Sequence, residues 1–250
     1  MTYCAALKLD DGIVFGADTR TNAGVDNVAC FRKLHRWVEP GERVIVLLTA
    51  GNLSITQSVV TLLDEQATSG RREGRDNLLD APNMFHAARL VGAALRSVHD
   101  VDGPALEASH SPFAASFLLG GQIRGEAPRL FNVYAEGNFI EAGPDTPFFQ
   151  IGEHKYGKPI LDRVARPSMS LPDAAKLLLL SFDSTLRSNL SVGMPLDILL
   201  YRTGTLRVSL ERRIDRDDAY FQELSRSWSA SLREAFARIS GLDPGDPVSG

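Results

Sequence analysis

Residues 1–33 read MTYCAALKLDDGIVFGADTRTNAGVDNVACFRK, and this stretch decides the fold. Residues 3–9 predict a strand with mixed faces. The Asp-Gly pair at 11–12 favours a tight turn, because it readily supplies the positive φ values that a hairpin needs. Residues 13–17 are almost wholly apolar and predict a return strand that is buried on both faces. The hairpin would bring Asp18 back beside the start of the chain.

The same stretch holds the residue types of a threonine hydrolase. If Met1 is removed, Thr2 carries both a hydroxyl and a free α-amine, whose ordinary pKa is about 7.7–8.0. Such an amine can accept the hydroxyl proton near neutral pH. Lys33 nearby would disfavour the protonated amine, and Asp18 would hold Lys33 charged and in place. The alternative is that Thr2 is an ordinary second residue and that Asp18 and Lys33 form a structural ion pair.

A tetrahedral oxyanion would also need a hydrogen-bond donor. Gly51 lies where an apolar run at 43–49 gives way to a helical pattern. Unpaired N–H groups and the helix dipole favour negative charge at such a junction. Gly51 is therefore the candidate donor.

The remaining pattern predicts β-rich blocks separated by paired helices. The predicted elements are strands at 28–37, 43–49, 113–123, 129–134, 139–141 and 148–152, helices at 53–66, 83–98, 157–164, 172–186 and 217–239, and a hairpin at 195–202 and 206–212. Residues 19–26 are interpreted as a loop. This order lacks the strict strand–helix alternation of a parallel sheet. It favours an α+β, four-layer αββα fold of two stacked antiparallel sheets, in one domain over 1–250 with a flexible tail at 240–250.

Composition is that of an ordinary globular protein. The 250 residues are 44% apolar and 23% charged, which predicts a packed core. The net charge of −4 argues against a nucleic-acid binder, which would show a basic balance. Arg71, Arg72 and Arg75 form the one local basic cluster, interpreted as a solvated loop.

Cysteine and histidine usage indicates neither a disulfide framework nor a metal site. There are two cysteines and five scattered histidines, without a Cys-x-x-Cys pair, so we expect no metal and no cofactor. No apolar run approaches the roughly 18 residues of a membrane span, and the N-terminus lacks a secretory pattern. We expect a cytoplasmic protein without a membrane partner.

Several motifs carry a family resemblance. In chain order they are Thr2, the Asp-Gly hairpin, Gly16-Ala17-Asp18-Thr19-Arg20, Arg32-Lys33-Leu34, Thr49-Ala50-Gly51, Ser116-Phe117-Leu118-Leu119-Gly120-Gly121 and Arg187-Ser188-Asn189-Leu190-Ser191-Val192-Gly193. Together they resemble a proteasome β subunit. The run DTRTNAGVDN at 18–27 and the run LTAGNL at 48–53 are similar to Anbu, the bacterial ancestral β-subunit type.

This resemblance implies an N-terminal nucleophile hydrolase fold and a threonine-type peptidase. It implies that Thr2 is nucleophile and base, that Asp18 and Lys33 support it, and that Gly51 supplies the oxyanion N–H. Ser191 matches a serine that hydrogen-bonds near the amine, and Ser188 stands where proteasome β subunits carry an aspartate. Four positions match the lining of an apolar substrate pocket without charge preference: Thr21, Phe31, Thr49 and Leu53.

The resemblance also implies a homo-oligomer, a ring or spiral of like subunits, acting on a peptide or protein substrate. The chain has no Gly-Lys-Ser/Thr phosphate loop, so energy-driven unfolding would need a separate ATPase. Two alternatives remain open: a catalytically silent scaffold subunit of such an oligomer, and an amidase that acts on a small amide.

Overall fold

Two five-stranded antiparallel sheets form the centre of the structure, a computed structural model that describes residues 2–23, 27–70 and 76–242. The first sheet has the order β10-β1-β2-β11-β12, with β1 Tyr3–Leu9, β2 Gly12–Asp18, β10 Phe148–Gly152, β11 Leu196–Arg202 and β12 Val208–Ile214. The second has the order β5-β6-β7-β8-β9, with β5 Leu34–Glu39, β6 Arg43–Gly51, β7 Ala115–Ile123, β8 Arg129–Val133 and β9 Phe139–Glu141. A separate two-stranded antiparallel sheet pairs β3 Arg20–Ala23 with β4 Asn27–Cys30.

Helices cover the outer faces of the two sheets. In the described ranges they are α1 Leu53–Glu65, α2 Met84–Ala108, α3 Lys158–Val164, α4 Leu171–Ser188 and α5 Ala219–Arg238. A π-helical turn, Gln66–Gly70, extends α1. Helices α1 and α2 pack on the second sheet, and α3, α4 and α5 pack on the first. The predicted four-layer αββα fold is confirmed.

The central hydrophobic layer lies between the sheets, where apolar side chains of both inner faces meet. From the first sheet come Ile13 and Phe15, and from the second come Val46 and Leu118, all completely buried. Neighbouring side chains along each strand point to the opposite face and pack on the helices instead. Strands β2, β6 and β7 are buried on both faces for this reason, as the continuous apolar run at 13–17 predicts.

Three predicted elements differ from the structure. The strand predicted at 28–37 is broken at residues 31–33, and the loop predicted at 19–26 contains β3. Helix α2 continues ten residues beyond Val98, through Gly103 and Pro104, two residues that locally predict an end. Leu106 packs against the core that α2 shares with the second sheet, so tertiary contact outweighs the local signal.

Some predicted features lie outside the described residues. They are the basic cluster of Arg71, Arg72 and Arg75, and residues 243–250 of the tail. Within the described ranges, none of the helices combines the length and apolar character needed to cross a bilayer.

Tyr3 ties the first strand to α4 directly beside Thr2. Its ring lies 4.6 Å from that of Phe182, centroid to centroid. Its hydroxyl is 3.0 Å from Ser181 Oγ and accepts a hydrogen bond from Gln150 Nε2 at 2.7 Å. Burial raises the pKa of Tyr3 to about 12, although both hydrogen bonds act in the opposite direction.

We therefore predict that the stabilising effect of the Tyr3 hydroxyl is lost as the pH becomes alkaline. The unfolded phenol ionises near pH 10, whereas the folded one keeps its proton until about 12. The contribution of the hydroxyl to the free energy of unfolding is complete below the pKa of the unfolded phenol, and it is lost as the pH rises through the pKa of the folded one. The difference in unfolding free energy between wild type and Tyr3→Phe should fall by about 1 kcal/mol from pH 8 to pH 11. Urea unfolding at both pH values measures it, and a constant difference would contradict the raised pKa.

Candidate active site

A buried ion pair between Asp18 and Lys33 forms the centre of the candidate site. Lys33 Nζ donates to Asp18 Oδ1 at 2.7 Å, and the two side chains are 4% and 0% exposed. Asp18 also accepts from Tyr3 N at 3.0 Å and from Gly193 N at 3.2 Å. Burial raises the pKa of the Asp18 carboxyl, while the ammonium and both N–H groups act in the opposite direction. Three donors thus fix the carboxylate in one orientation.

Local chain structure places the two charges together. Asp18 is the last residue of β2, and Lys33 lies in the break between β4 and β5. Thr19 holds the end of β2, because its N–H and its hydroxyl both donate to Pro195 O, at 3.1 and 2.7 Å. The Lys33 ammonium also donates to Arg20 O at 2.6 Å. The break that the apolar pattern did not predict is therefore what turns Lys33 inward.

Thr2 opens into a cavity of about 250 Å³ next to this ion pair. The residue is 9% exposed. Nine residues line the cavity: Thr2, Thr21, Lys33, Thr49, Ala50, Gly51, Leu53, Thr56 and Gly152. A hydroxyl, an ammonium and a main-chain turn therefore surround one space that a small side chain could enter.

Gly51 ends β6 at the mouth of this cavity, just before α1 begins. Its φ is +118°, and a Cβ there would lie 2.2 Å from Ala114 O. Both observations require glycine at this position. Asn52 follows as the N-cap of α1, with its side chain accepting from Ser54 N at 3.0 Å. The strand-to-helix junction predicted from the sequence thus lies beside Thr2, as an oxyanion donor would need.

The segment after α4 contacts the site on the side of Asp18. Gly193 N reaches Asp18, and Ser191, which is half-buried, donates its N–H to Asn189 Oδ1 at 2.9 Å. Ser188 is exposed, whereas Asn189 is buried at 8% exposure. The side chain that turns towards the interior here is therefore Asn189, which the sequence analysis did not single out.

The predicted pocket residues divide into two groups. Thr21, Thr49 and Leu53 line the cavity, but Phe31 does not and is 37% exposed. Sequence reasoning missed Thr56, which lies one turn along α1 from Leu53 and adds a further threonine to the lining. The spacing of three on a helix that starts just after the glycine was the available signal.

Cys4, two residues after Thr2, carries a further nucleophilic group, a thiol. Burial raises the pKa of its thiol, although the Lys33 charge acts in the opposite direction. The thiol therefore stays protonated at neutral pH and is a poor nucleophile. In the part of the chain that the structure describes, no three His, Cys, Asp or Glu side chains group closely enough to hold a metal ion.

We predict that Lys33→Met destabilises the protein by about 3 kcal/mol, because it leaves the Asp18 charge buried without its cation. The double substitution Asp18→Asn with Lys33→Met should cost less than the sum of the two single changes. Chemical denaturation of all three variants measures this coupling.

Lys176→Met is the matched control, since Lys176 pairs with Asp173 at 2.6 Å on the exposed face of α4. We expect it to change stability little, because exposed pairs are screened by water. Equal changes in the free energy of unfolding for the two lysine substitutions would show that the buried pair contributes no more to stability than the exposed one.

Comparison with known proteins identifies the family. The family model described as "Proteasome subunit" matches residues 2–198, and no curated protein matches the chain. A Gly-1 mutant of Anbu from Hyphomicrobium sp. strain MC1 is 57% identical, over 97% of this chain and 100% of that one, with a TM-score of 0.89. Anbu from Yersinia bercovieri is 46% identical over 97% and 100%, with a TM-score of 0.90. A helical assembly of the Anbu complex from Pseudomonas aeruginosa is 46% identical over 98% and 100%, with a TM-score of 0.92. The chain therefore belongs to the proteasome family and, within it, to the Anbu group of ancestral β subunits.

Proposed function

We propose that this proteasome-type subunit is a threonine-type peptidase that uses Thr2 as its nucleophile once Met1 has been removed. The observation that carries the proposal is the Asp18–Lys33 ion pair, buried beside the cavity that Thr2 opens into. A buried ion pair contributes little net stability compared with apolar packing, so its position next to a hydroxyl and a cavity points to chemistry.

In the proposed reaction, Thr2 Oγ attacks the carbonyl carbon of the scissile peptide bond, and the Thr2 α-amine takes the hydroxyl proton. Lys33 favours the neutral form of that amine through its positive charge, and Asp18 holds Lys33 in place. The carbonyl oxygen becomes an oxyanion, which the Gly51 N–H stabilises.

Collapse of this intermediate breaks the C–N bond, and the α-ammonium returns its proton to the leaving amine. The acyl part of the substrate then remains bound to Thr2 Oγ as an ester. Water attacks the ester with the α-amine again as base, which releases the carboxylic acid and restores the free threonine. Ser191 and Ser188 remain the proposed polar supports of this centre.

The cavity supports an uncharged residue before the scissile bond. Its lining combines Leu53 and Ala50 with the hydroxyl-bearing Thr21, Thr49 and Thr56. Among the described side chains of the lining, the one charged group is the Lys33 ammonium, which is already bonded to a carboxylate and to a main-chain oxygen. A charged substrate side chain would lose its hydration there without gaining a counter-charge. Phe31 does not line this cavity, and its proposed role in the pocket would have to be played from the exposed position that it holds.

The first prediction of this proposal concerns Thr2. Thr2→Ala should reduce hydrolysis of fluorogenic peptides by at least about 1000-fold, since it removes the nucleophile. Thr2→Ser should retain measurable activity, because it keeps both a hydroxyl and an α-amine. The peptides differ only in the residue before the scissile bond, Leu, Glu or Lys, and we expect cleavage after Leu to be the fastest.

Intact mass of each variant shows whether Met1 is absent, as the mechanism requires. Equal rates for wild type and Thr2→Ala would assign the activity to another protein. Removal of Met1 without turnover of any peptide would favour the scaffold or the small-amide alternative.

We also propose that the chain assembles with copies of itself, as the Anbu complex from Pseudomonas aeruginosa forms a helical assembly. The C-terminal end of α5 supports this, because two large apolar side chains four residues apart are exposed there. Leu232 and Phe236 are 49% and 79% exposed, and Ile239, which follows the helix in extended conformation, is 73% exposed. Residues four apart lie on one helix face, so Leu232 and Phe236 form an apolar stripe. Such a stripe on a protein surface marks a contact with a partner.

We predict that Leu232→Ser with Phe236→Ser shifts the protein to smaller assemblies, because it removes apolar area from the contact. Light scattering after size-exclusion chromatography measures the mass. Arg233→Ser, an exposed change on the same helix, is the control and should leave the mass unchanged. An unaltered assembly in the double variant would place the contact elsewhere.

A further inference from the structure

Glu153 carries a buried carboxylate next to Thr2 that the mechanism above does not use. The residue is 6% exposed and follows directly after β10. Its Oε1 accepts from Lys155 N at 2.8 Å, and its Oε2 accepts from Asn189 Nδ2 at 2.8 Å. Both donors are uncharged amides. Over the described ranges, no Lys, Arg or His side chain forms an ion pair with Glu153.

The orientation of Asn189 is fixed from its other end. Its Oδ1 accepts from Ser191 N at 2.9 Å, so its Nδ2 must be the atom that faces Glu153. Two donors therefore meet Glu153, one at each oxygen. The amide of glutamine could not accept at both, because it offers one acceptor and one donor. The two donors therefore favour glutamate over glutamine at position 153.

Glu153 is also joined directly to the residue that carries the proposed nucleophile. Its N–H donates to Thr2 O at 2.6 Å. Gly152 before it has a φ of +80°, and a Cβ there would lie 2.0 Å from the same Thr2 oxygen. The main chain at 152–153 thus lies tightly against Thr2, and the Glu153–Asn189 bond connects it to the segment whose Gly193 holds Asp18.

A buried carboxylate without a cationic partner is costly, since uncharged donors replace only part of its hydration. Thr2, the residue to which the Glu153 N–H donates, would itself carry a cation, the α-ammonium that a free Thr2 forms when it takes up the hydroxyl proton. We propose that Glu153, held by Asn189, is a positioning residue that fixes Thr2 and supplies the counter-charge for this ammonium. The inference rests on the proposed function, because it requires a free Thr2 amine.

Glu153 neither gives nor takes a proton in this role. The amine receives its proton from Thr2 Oγ and later passes it to the leaving group, as above. The carboxylate lowers the free energy of the charged intermediate state. Lys33 and Glu153 would then act on the amine in opposite directions, and their balance would set its proton affinity.

Exchanging the two side-chain types tests this role. In Glu153→Gln, the new amide group points at a donor, and in Asn189→Asp, two carboxylates face each other. In the double variant, the introduced glutamine can accept from Lys155 N and donate to the introduced aspartate, which can still accept from Ser191 N. All the hydrogen bonds return, and the negative charge moves by one side chain only.

The readout is the pKa of the Thr2 amine, obtained from the pH dependence of its acylation by acetic anhydride and from the mass of the N-terminal peptide. We expect Glu153→Gln to lower this pKa by about 1 unit, because a nearby negative charge is lost. We expect the double variant to recover at least half of that shift. For kcat/KM on a cleaved peptide, we expect a loss of at least about 10-fold in the single variants and partial recovery in the double.

Asp183→Asn is the matched control. Asp183 is a carboxylate of 5% exposure on α4 that also accepts from two donors, Ser225 Oγ at 2.7 Å and Arg187 Nε at 3.1 Å. Its removal should lower the melting temperature without changing the pKa of the Thr2 amine. An unchanged pKa in Glu153→Gln, an equal shift in Asp183→Asn, or no recovery in the double variant would each overturn the inference.

The acylation experiment does not depend on peptide turnover, so the two proposals can fail separately. A free Thr2 amine whose pKa is the same in wild type and in Glu153→Gln overturns this inference alone. A retained Met1, seen by intact mass in every variant, overturns the peptidase and with it the counter-charge role.

Discussion

The buried ion pair of Asp18 and Lys33 is the constraint on which the rest of the candidate site depends. Two charges can stay buried only if each has its partners, and here the carboxylate has three donors and the ammonium has two acceptors. Those partners come from distant parts of the chain: Tyr3 in β1, Arg20 in β3 and Gly193 before β11. Satisfying one ion pair therefore fixes four segments around Thr2, at residues 3, 18–20, 33 and 193.

The stacked sheets explain why these segments can meet. Strands β1 and β2 pair along their whole length in the first sheet, so that Cys4 lies opposite Ala17. This register puts Asp18 level with Tyr3, and the second sheet brings the end of β6 to the same edge. The cavity lies at the ends of strands from both sheets. Helix α1 begins there, and the segment after α4 reaches the same place through Gly193. Apolar contact between the sheets thus positions the polar groups of the site.

Local patterns in the sequence predicted much of this arrangement, because hairpins and strand-to-helix junctions are local structures. The hairpin at 3–17, the fold class and the position of Gly51 beside a helix start all follow from residues close together in the chain. The break before Lys33 and the extension of α2 past Pro104 depend on tertiary contacts, which the local pattern does not contain. The bond between Glu153 and Asn189 spans 36 residues and has no signature at either end. The roles of Thr2, Gly51, Ser188 and Ser191 remain predictions.

Two buried carboxylates near Thr2 differ in a way that local sequence cannot show. Asp18 has a cation, Lys33, whose charge it balances within the folded chain. Glu153 has only uncharged donors, and within the described ranges no cationic side chain forms an ion pair with it. A protein that kept such a group for stability alone would do better with an apolar residue of similar volume. The unbalanced carboxylate is therefore best explained by a charge that exists during only part of a reaction cycle, and the α-ammonium of Thr2 is the group whose charge would appear and disappear there. In the proposed reaction, the site would hold one permanent ion pair, Asp18 with Lys33, and one incomplete pair that is completed when the amine takes up its proton.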